Sequence, residues 1–157
     1  MPIESQKLTK QHDSITANIV NASLQIHRDL GPGLLESVYE AILERELIAR
    51  GFHVQRQRRV DITYRGYLYK TAFRADLIVE NSVVVELKST ARTVEADTKQ
   101  LLTYLKLLGL PVGLLVNFGG ATLREGLKRM VNTPRPQAQN VPMIAADDCA
   151  SVIGRAT

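Results

Sequence analysis

Two apolar runs separated by three polar residues, Arg74-Ala75-Asp76-Leu77-Ile78-Val79 and Val83-Val84-Val85-Glu86-Leu87-Lys88, constrain this chain more than any other stretch. Both are rich in β-branched residues and flank Glu80-Asn81-Ser82, so they read as two strands around a turn. Asp76, Glu86 and Lys88 stand at the ends of these otherwise apolar strands. Burying charge there is costly unless it is partnered, and carboxylates that meet in a cleft are commonly partnered by a divalent cation.

Side chains alternate faces along a strand. A three-residue loop over Glu80, Asn81 and Ser82 sets Asp76 opposite Glu86, on the face of Lys88. A two-residue Asn81-Ser82 loop instead sets Asp76 across from Leu87 and splits the carboxylates between faces, unless a bulge intervenes. A shared site requires the odd register, and Asn81, which tolerates left-handed backbone, is compatible with it.

A chain of 157 residues is long enough for one domain with a real core and too short for two substantial ones. With 45% apolar and 23% charged residues it has the balance of a soluble globular protein. No apolar run approaches the roughly 20 residues a membrane helix needs, and Glu4, Lys7, Lys10 and Asp13 interrupt any signal-peptide core, so a cytoplasmic location is expected. Cys149 is the single cysteine and excludes an internal disulfide. Gly119-Gly120 lacks the Lys-Ser/Thr pair of a phosphate loop, no serine sits in a nucleophile elbow, and His12, His27 and His53 have no metal-ligand spacing.

The formal charge of +4 is unevenly spread. Arg50, Arg56, Arg58, Arg59, Arg65, Lys70 and Arg74 face one acid, Asp61, over a single stretch. Such a stripe suits a polyanion surface, and it equally suits a wet strand face or a charge-protected edge. Arg56, Arg58, Arg59, Arg65, Lys70 and Arg74 are the candidate nucleic-acid contacts.

Periodicity predicts a helix from Ser14 or Thr16 to Leu30, with Ile15, Ile19, Ala22, Ile26 and Leu30 as its stripe, ended by Gly31-Pro32-Gly33. A second helix follows from about Leu35 to Arg50, with Val38, Ala41, Ile42 and Ile48 inward. Phe52 to Ile62, Tyr67 to Val79 and Val83 to Lys88 form a three-stranded meander, with a turn over Tyr64-Arg65-Gly66-Tyr67. Thr93 caps a helix that buries Val94, Leu101, Leu105 and Leu108, and a short buried strand through Asn117 runs parallel to a neighbour. A last helix is expected over about Thr122 to Val131. The domain is expected over 14–132, with a loose segment at 1–13 and a linker-like or disordered tail, rich in Pro, Gln, Ala and Asn, at 133–157. This order gives an α/β fold, one mixed sheet with helices on both faces.

Glu36, on the second helix, is a candidate third carboxylate, or an ordinary first-turn acid favoured by the helix dipole. Gln100 and Tyr104, four apart, share one helical face. Together, Gly33-Leu34-Leu35-Glu36-Ser37-Val38-Tyr39, Asp76, Glu86-Leu87-Lys88, Gln100-Leu101-Leu102-Thr103-Tyr104-Leu105 and Gly113-Leu114-Leu115-Val116-Asn117-Phe118 resemble the GxxExxY family. These are small prokaryotic proteins of the PD-(D/E)XK nuclease-like superfamily, and the resemblance covers roughly Ile15 to Asn132. It implies a restriction-endonuclease-like core and a Mg²⁺ (or Mn²⁺) dependent phosphodiesterase acting on DNA or RNA. It further implies that Asp76, Glu86 and the Leu87 carbonyl bind metal, that Lys88 orients water or stabilises phosphate charge, that Glu36 and Gln100 complete the site, and that Tyr39 packs nearby. Asp97 stands where the family often has a histidine. The rival expectation is a catalytically silent nuclease fold that binds nucleic acid or protein, and a third is a homodimer burying the Tyr64 to Tyr69 region.

Overall fold

In the computed structural model, which describes residues 8–133, strand β2 (Tyr67–Val79) and strand β3 (Val83–Lys88) pair antiparallel in the odd register. Val79 lies opposite Val83 and Leu77 opposite Val85, so continuing the ladder brings Asp76 level with Glu86. Glu80 (φ 53°) and Asn81 (φ 49°) both adopt left-handed backbone, and the Ser82 N–H closes the turn on the Val79 carbonyl at 3.0 Å.

Strand β1 (Val54–Tyr64) pairs with β2 through a two-residue turn at Arg65 and Gly66, both left-handed, as hairpins of this length require. Helix α3 (Glu95–Leu108) crosses over from β3 to strand β4 (Val112–Asn117), which lies parallel to β3 and buried throughout. The sheet order is β1-β2-β3-β4-β5, where β5 (Leu127–Val131) is antiparallel to β4. Helices α1 (Lys10–Leu30) and α2 (Glu36–Ala49) cover one face against Leu77, Val79, Val83, Val85 and Leu87. Helix α3 covers the other against Ala75, Ile78, Val84 and Leu115.

Several expectations need correction. Residues 127–131 form an edge strand after a short 3-10 turn at Arg124–Gly126. Leu, Lys, Arg and Met favour helix locally, yet the open edge of β4 offers five backbone pairs and long-range pairing wins. Helix α1 begins at Lys10 and so takes in part of the 1–13 segment, while residues 1–7 and the tail from 134 lie outside the described residues. Leu30 (49%) and Val94 (54%) are exposed, and Val94, not Thr93, is the α3 cap residue. On α2 the buried stripe is Tyr39, Glu40, Leu43 and Leu47, with Val38 and Ile48 exposed. The helix is turned by about one residue, and that rotation carries Glu40 inward.

Strand alternation breaks at Asp76. Phe73 and Ala75 face α3, since Phe73 stacks on Tyr104 and Ala75 packs with Leu101, whereas Leu77 and Val79 face α1 and α2. Opposite the break, Gln57 takes left-handed backbone (φ 51°). Paired irregularities of this kind re-aim a side chain. From Ala75 back to Tyr67, β2 pairs with β1 alone, so the two strands leave the sheet as an arm.

Tyr39 pins the entry to α2. Its hydroxyl donates to the Gly31 carbonyl (2.5 Å) and accepts from the Leu34 N–H (3.2 Å), and its ring stacks on Phe118 with centroids 4.4 Å apart. Gly33, at φ 109°, supplies the left-handed backbone of the same turn. Tyr39→Phe keeps the stack and loses both hydrogen bonds, so it should cost about 1 to 2 kcal/mol. A urea midpoint that falls with an unchanged m-value checks this, and an unmoved midpoint would refute it.

Candidate functional site

The end of the β2–β3 ladder is closed by a side chain. The Leu87 N–H, where the next backbone partner would be, donates to Asp76 Oδ2 at 2.9 Å, while Asp76 Oδ1 accepts from Gln57 Nε2 at 3.1 Å. Because a strand residue presents its N–H and C=O to the same neighbour, the Leu87 carbonyl turns toward the Asp76 edge as well. Asp76 is 8% and Glu86 4% exposed.

Lys88 Nζ lies 3.4 Å from Glu86 Oε1 and donates at 3.5 Å to Gln100 Oε1. Gln100 Nε2 in turn donates to the Tyr104 hydroxyl at 2.8 Å. Asp76, Glu86, Lys88 and Gln100 therefore converge. Glu36, the first residue of α2 and half-buried, acts electrostatically on Asp76, Glu86 and Lys88. Asp97 is taken up by the start of α3, where its Oδ2 accepts the Val94 N–H at 3.1 Å. His12 and His27 are likewise engaged, with Thr9 and the Gly120 carbonyl.

Glu40 is the site-side residue that sequence reasoning missed. It is 3% exposed, accepts from Gln57 Nε2 at 3.0 and 2.9 Å, and pairs with Arg56 Nε at 2.7 Å. Its spacing of four from Glu36, hence the same helical face, was the available signal. Gln57 thereby bridges Glu40 and Asp76. Arg56 also reaches Glu44 Oε2 at 3.7 Å and the Ser37 carbonyl at 3.3 Å, so this exposed arginine is engaged as a clamp between β1 and α2. Arg58, Arg59, Arg65, Lys70 and Arg74 are exposed on the arm.

Burial pushes the Glu86 carboxyl up to about 8, with Asp76 adding to the rise and Lys88 opposing it. Burial also raises Asp76, to about 6, against the pull of the Leu87 hydrogen bond. For Lys88, burial works downward, and the Glu86 and Glu36 carboxylates outweigh it, so its ammonium titrates above the usual range. Burial lifts the Tyr104 phenol.

Glu86 Oε2 is buried with no hydrogen-bond partner, and an orphaned buried carboxylate oxygen calls for a ligand. Among the described residues no three His, Cys, Asp or Glu side chains form a ready cage. The donors present are two carboxylates and a carbonyl, all hard oxygens. That set fits Mg²⁺, which keeps several waters and binds through one or two carboxylates.

Both carboxyls hold in the folded chain protons that the unfolded chain releases near pH 4. Stability of metal-free protein therefore falls as pH rises from about 4 to about 8, because the folded state binds the extra protons in that window. Thermal unfolding in EDTA should show this slope, and Glu86→Gln should flatten its upper part and raise the melting temperature near pH 8. A variant with the wild-type slope would remove Glu86 as the cause.

Among the described residues no helix is long and apolar enough to cross a membrane. No curated protein and no solved structure matches the chain. A family model of the PD-(D/E)XK nuclease superfamily matches residues 13–130, which takes in most of α1, the carboxylate hairpin, α3 and β4. By that match over well more than half its length, the chain belongs to the PD-(D/E)XK nuclease superfamily.

Proposed function

We propose that this protein is a divalent-metal-dependent nuclease of the GxxExxY type, hydrolysing phosphodiester bonds at the Asp76, Glu86 and Lys88 centre. Nucleases of the superfamily generally depend on divalent metal. The observation that carries the reading is the buried, unpartnered Glu86 Oε2 beside Asp76 and Lys88.

Asp76, Glu86 and the Leu87 carbonyl would hold Mg²⁺ or Mn²⁺, with Glu36 completing the set from α2. When bound, the ion would acidify a water and neutralise phosphate charge. Gln57 and the Leu87 N–H orient Asp76. Lys88, half-buried and steadied by Glu86 and Gln100, offers a fixed cation to the phosphoryl oxygens in a partly dry site, where it is worth more than in water. Gln100 is a positioning residue for Lys88.

A second reading, a silent nuclease fold that binds nucleic acid, is favoured by one observation: Lys88 is already paired with Glu86 at 3.4 Å. Calorimetry with Mn²⁺ separates the two. The wild type should bind and release protons on binding, since Glu86 must ionise, and Asp76→Asn and Glu86→Gln should abolish the heat. Oligonucleotide cleavage should require Mg²⁺ or Mn²⁺, stop in EDTA, and fall about a hundredfold or more in Lys88→Ala. Metal binding without cleavage of any DNA or RNA would favour the silent fold, and binding unaffected by Asp76→Asn would refute both the site and the mechanism.

A further inference from the structure

The β1–β2 arm carries chemistry that the metal centre leaves unused. Its cross-strand pairs set Tyr64 opposite Tyr67, Ile62 opposite Tyr69 and Val60 opposite Phe73. Directly opposed residues share a face, and alternation along β1 keeps Val60, Ile62 and Tyr64 on one side. Between Tyr69 and Phe73, β2 has two more residues than β1 has between Val60 and Ile62. They bulge at left-handed Thr71, whose N–H is held by Asp61 Oδ1 at 2.7 Å.

Tyr64, Tyr67 and Tyr69 are 58, 72 and 50% exposed. At the root of the arm the Phe73 ring stacks on Tyr104 with centroids 4.0 Å apart, and Tyr104 is hydrogen-bonded to the Gln100 that steadies Lys88. One face of the arm is thus a line of rings that runs from its tip to the reacting groups. An exposed patch of this kind marks an interaction surface.

We propose that this face is a stacking platform for the unpaired bases of a single-stranded nucleic acid, which it leads to the Asp76 and Glu86 centre. The destination rests on the nuclease reading, while the platform does not. Every base has a π face, so stacking on tyrosine tolerates any sequence. A duplex hides those faces and offers only base edges and phosphates, leaving three exposed rings without a partner. Charge is complementary: from Arg58 to Arg74 the arm has five basic residues and one acid, Asp61, whose carboxylate is engaged by Thr71. Arg65 sits at the tip, 5.3 Å over the Tyr64 ring, and Lys70 lies in the bulge, both at the rim where phosphates of a stacked strand would pass. Arg59 and Arg74 stand directly opposite each other across the strands and, by alternation from Val60 and Phe73, project from the other face of the arm, so they add to its positive field and not to the platform itself.

Fluorescence anisotropy of a labelled oligonucleotide of about twenty nucleotides, as single strand and as duplex, in EDTA, tests the platform without turnover. The single strand should bind more tightly. The pair Tyr67→Ala and Tyr69→Ala should weaken it by about ten- to a hundredfold and leave duplex binding unchanged, whereas Tyr67→Phe with Tyr69→Phe should retain affinity. Both residues are exposed, so circular dichroism melting of each variant should match the wild type. Equal or tighter duplex binding, or single-strand affinity untouched by the alanine pair, overturns the proposal. So does sedimentation of a wild-type dimer that the alanine pair dissociates, which would give this face to a second copy. Stacking lost with metal-dependent cleavage of duplex intact would sink only the platform, and stacking present without cleavage would sink only the nuclease.

Discussion

The structure turns on one carboxylate that stands in for backbone. Asp76 takes the Leu87 N–H with one oxygen and Gln57 with the other, and so ties β1, β2 and β3 at a single point. There the ladder between β2 and β3 stops, strand alternation reverses, and the arm begins. An unpaired N–H and a buried charge would each be costly alone. Satisfying one with the other makes a nearly closed interior compatible with an acid.

That arrangement leaves the neighbouring acid unsatisfied. Glu86 has one oxygen near Lys88 and the other without a partner, and burial, with Asp76 beside it, raises its proton affinity against the pull of Lys88. Two buried side-chain oxygens among the described residues lack a hydrogen-bond partner, Glu86 Oε2 and Thr98 Oγ1, and the first belongs to the carboxyl beside Asp76 and Lys88. From Lys88 the contacts run outward through Gln100 and Tyr104 to Phe73, so the polar centre and the aromatic arm share one face of the sheet. A substrate lying along that face would meet rings before it met charge.

The Gly33, Glu36 and Tyr39 triplet also separates into physical parts. Gly33 supplies a left-handed turn, Tyr39 locks that turn to the core, and Glu36 is left at the head of α2 beside the acids. Glu40, a turn further along, is held by Arg56 and Gln57 and braces Asp76 from behind. One helix therefore presents two acids on one face with different duties. Removing Arg56 would leave Glu40 buried without its cation and held by Gln57 alone, a more severe change than losing a surface charge.

Much of this was legible in the amino-acid order. The continuous β-branched runs marked the strands and the helix before Val112 required a parallel crossover, because these follow from chain geometry within a few residues, whereas the sequence left two hairpin registers open and the structure takes the odd one. What local pattern could not reveal was settled by contacts between distant segments. Glu40 turned inward because Arg56 and Gln57, sixteen and seventeen positions on, were there to satisfy it. Residues 127–131 became a strand because β4 had an open edge, against a local preference for helix. Arg56, still exposed, is drawn from the basic stripe onto α2 because Glu40 and Glu44 lie there: each charge goes where its partner is, and only the tertiary structure decides which partners meet.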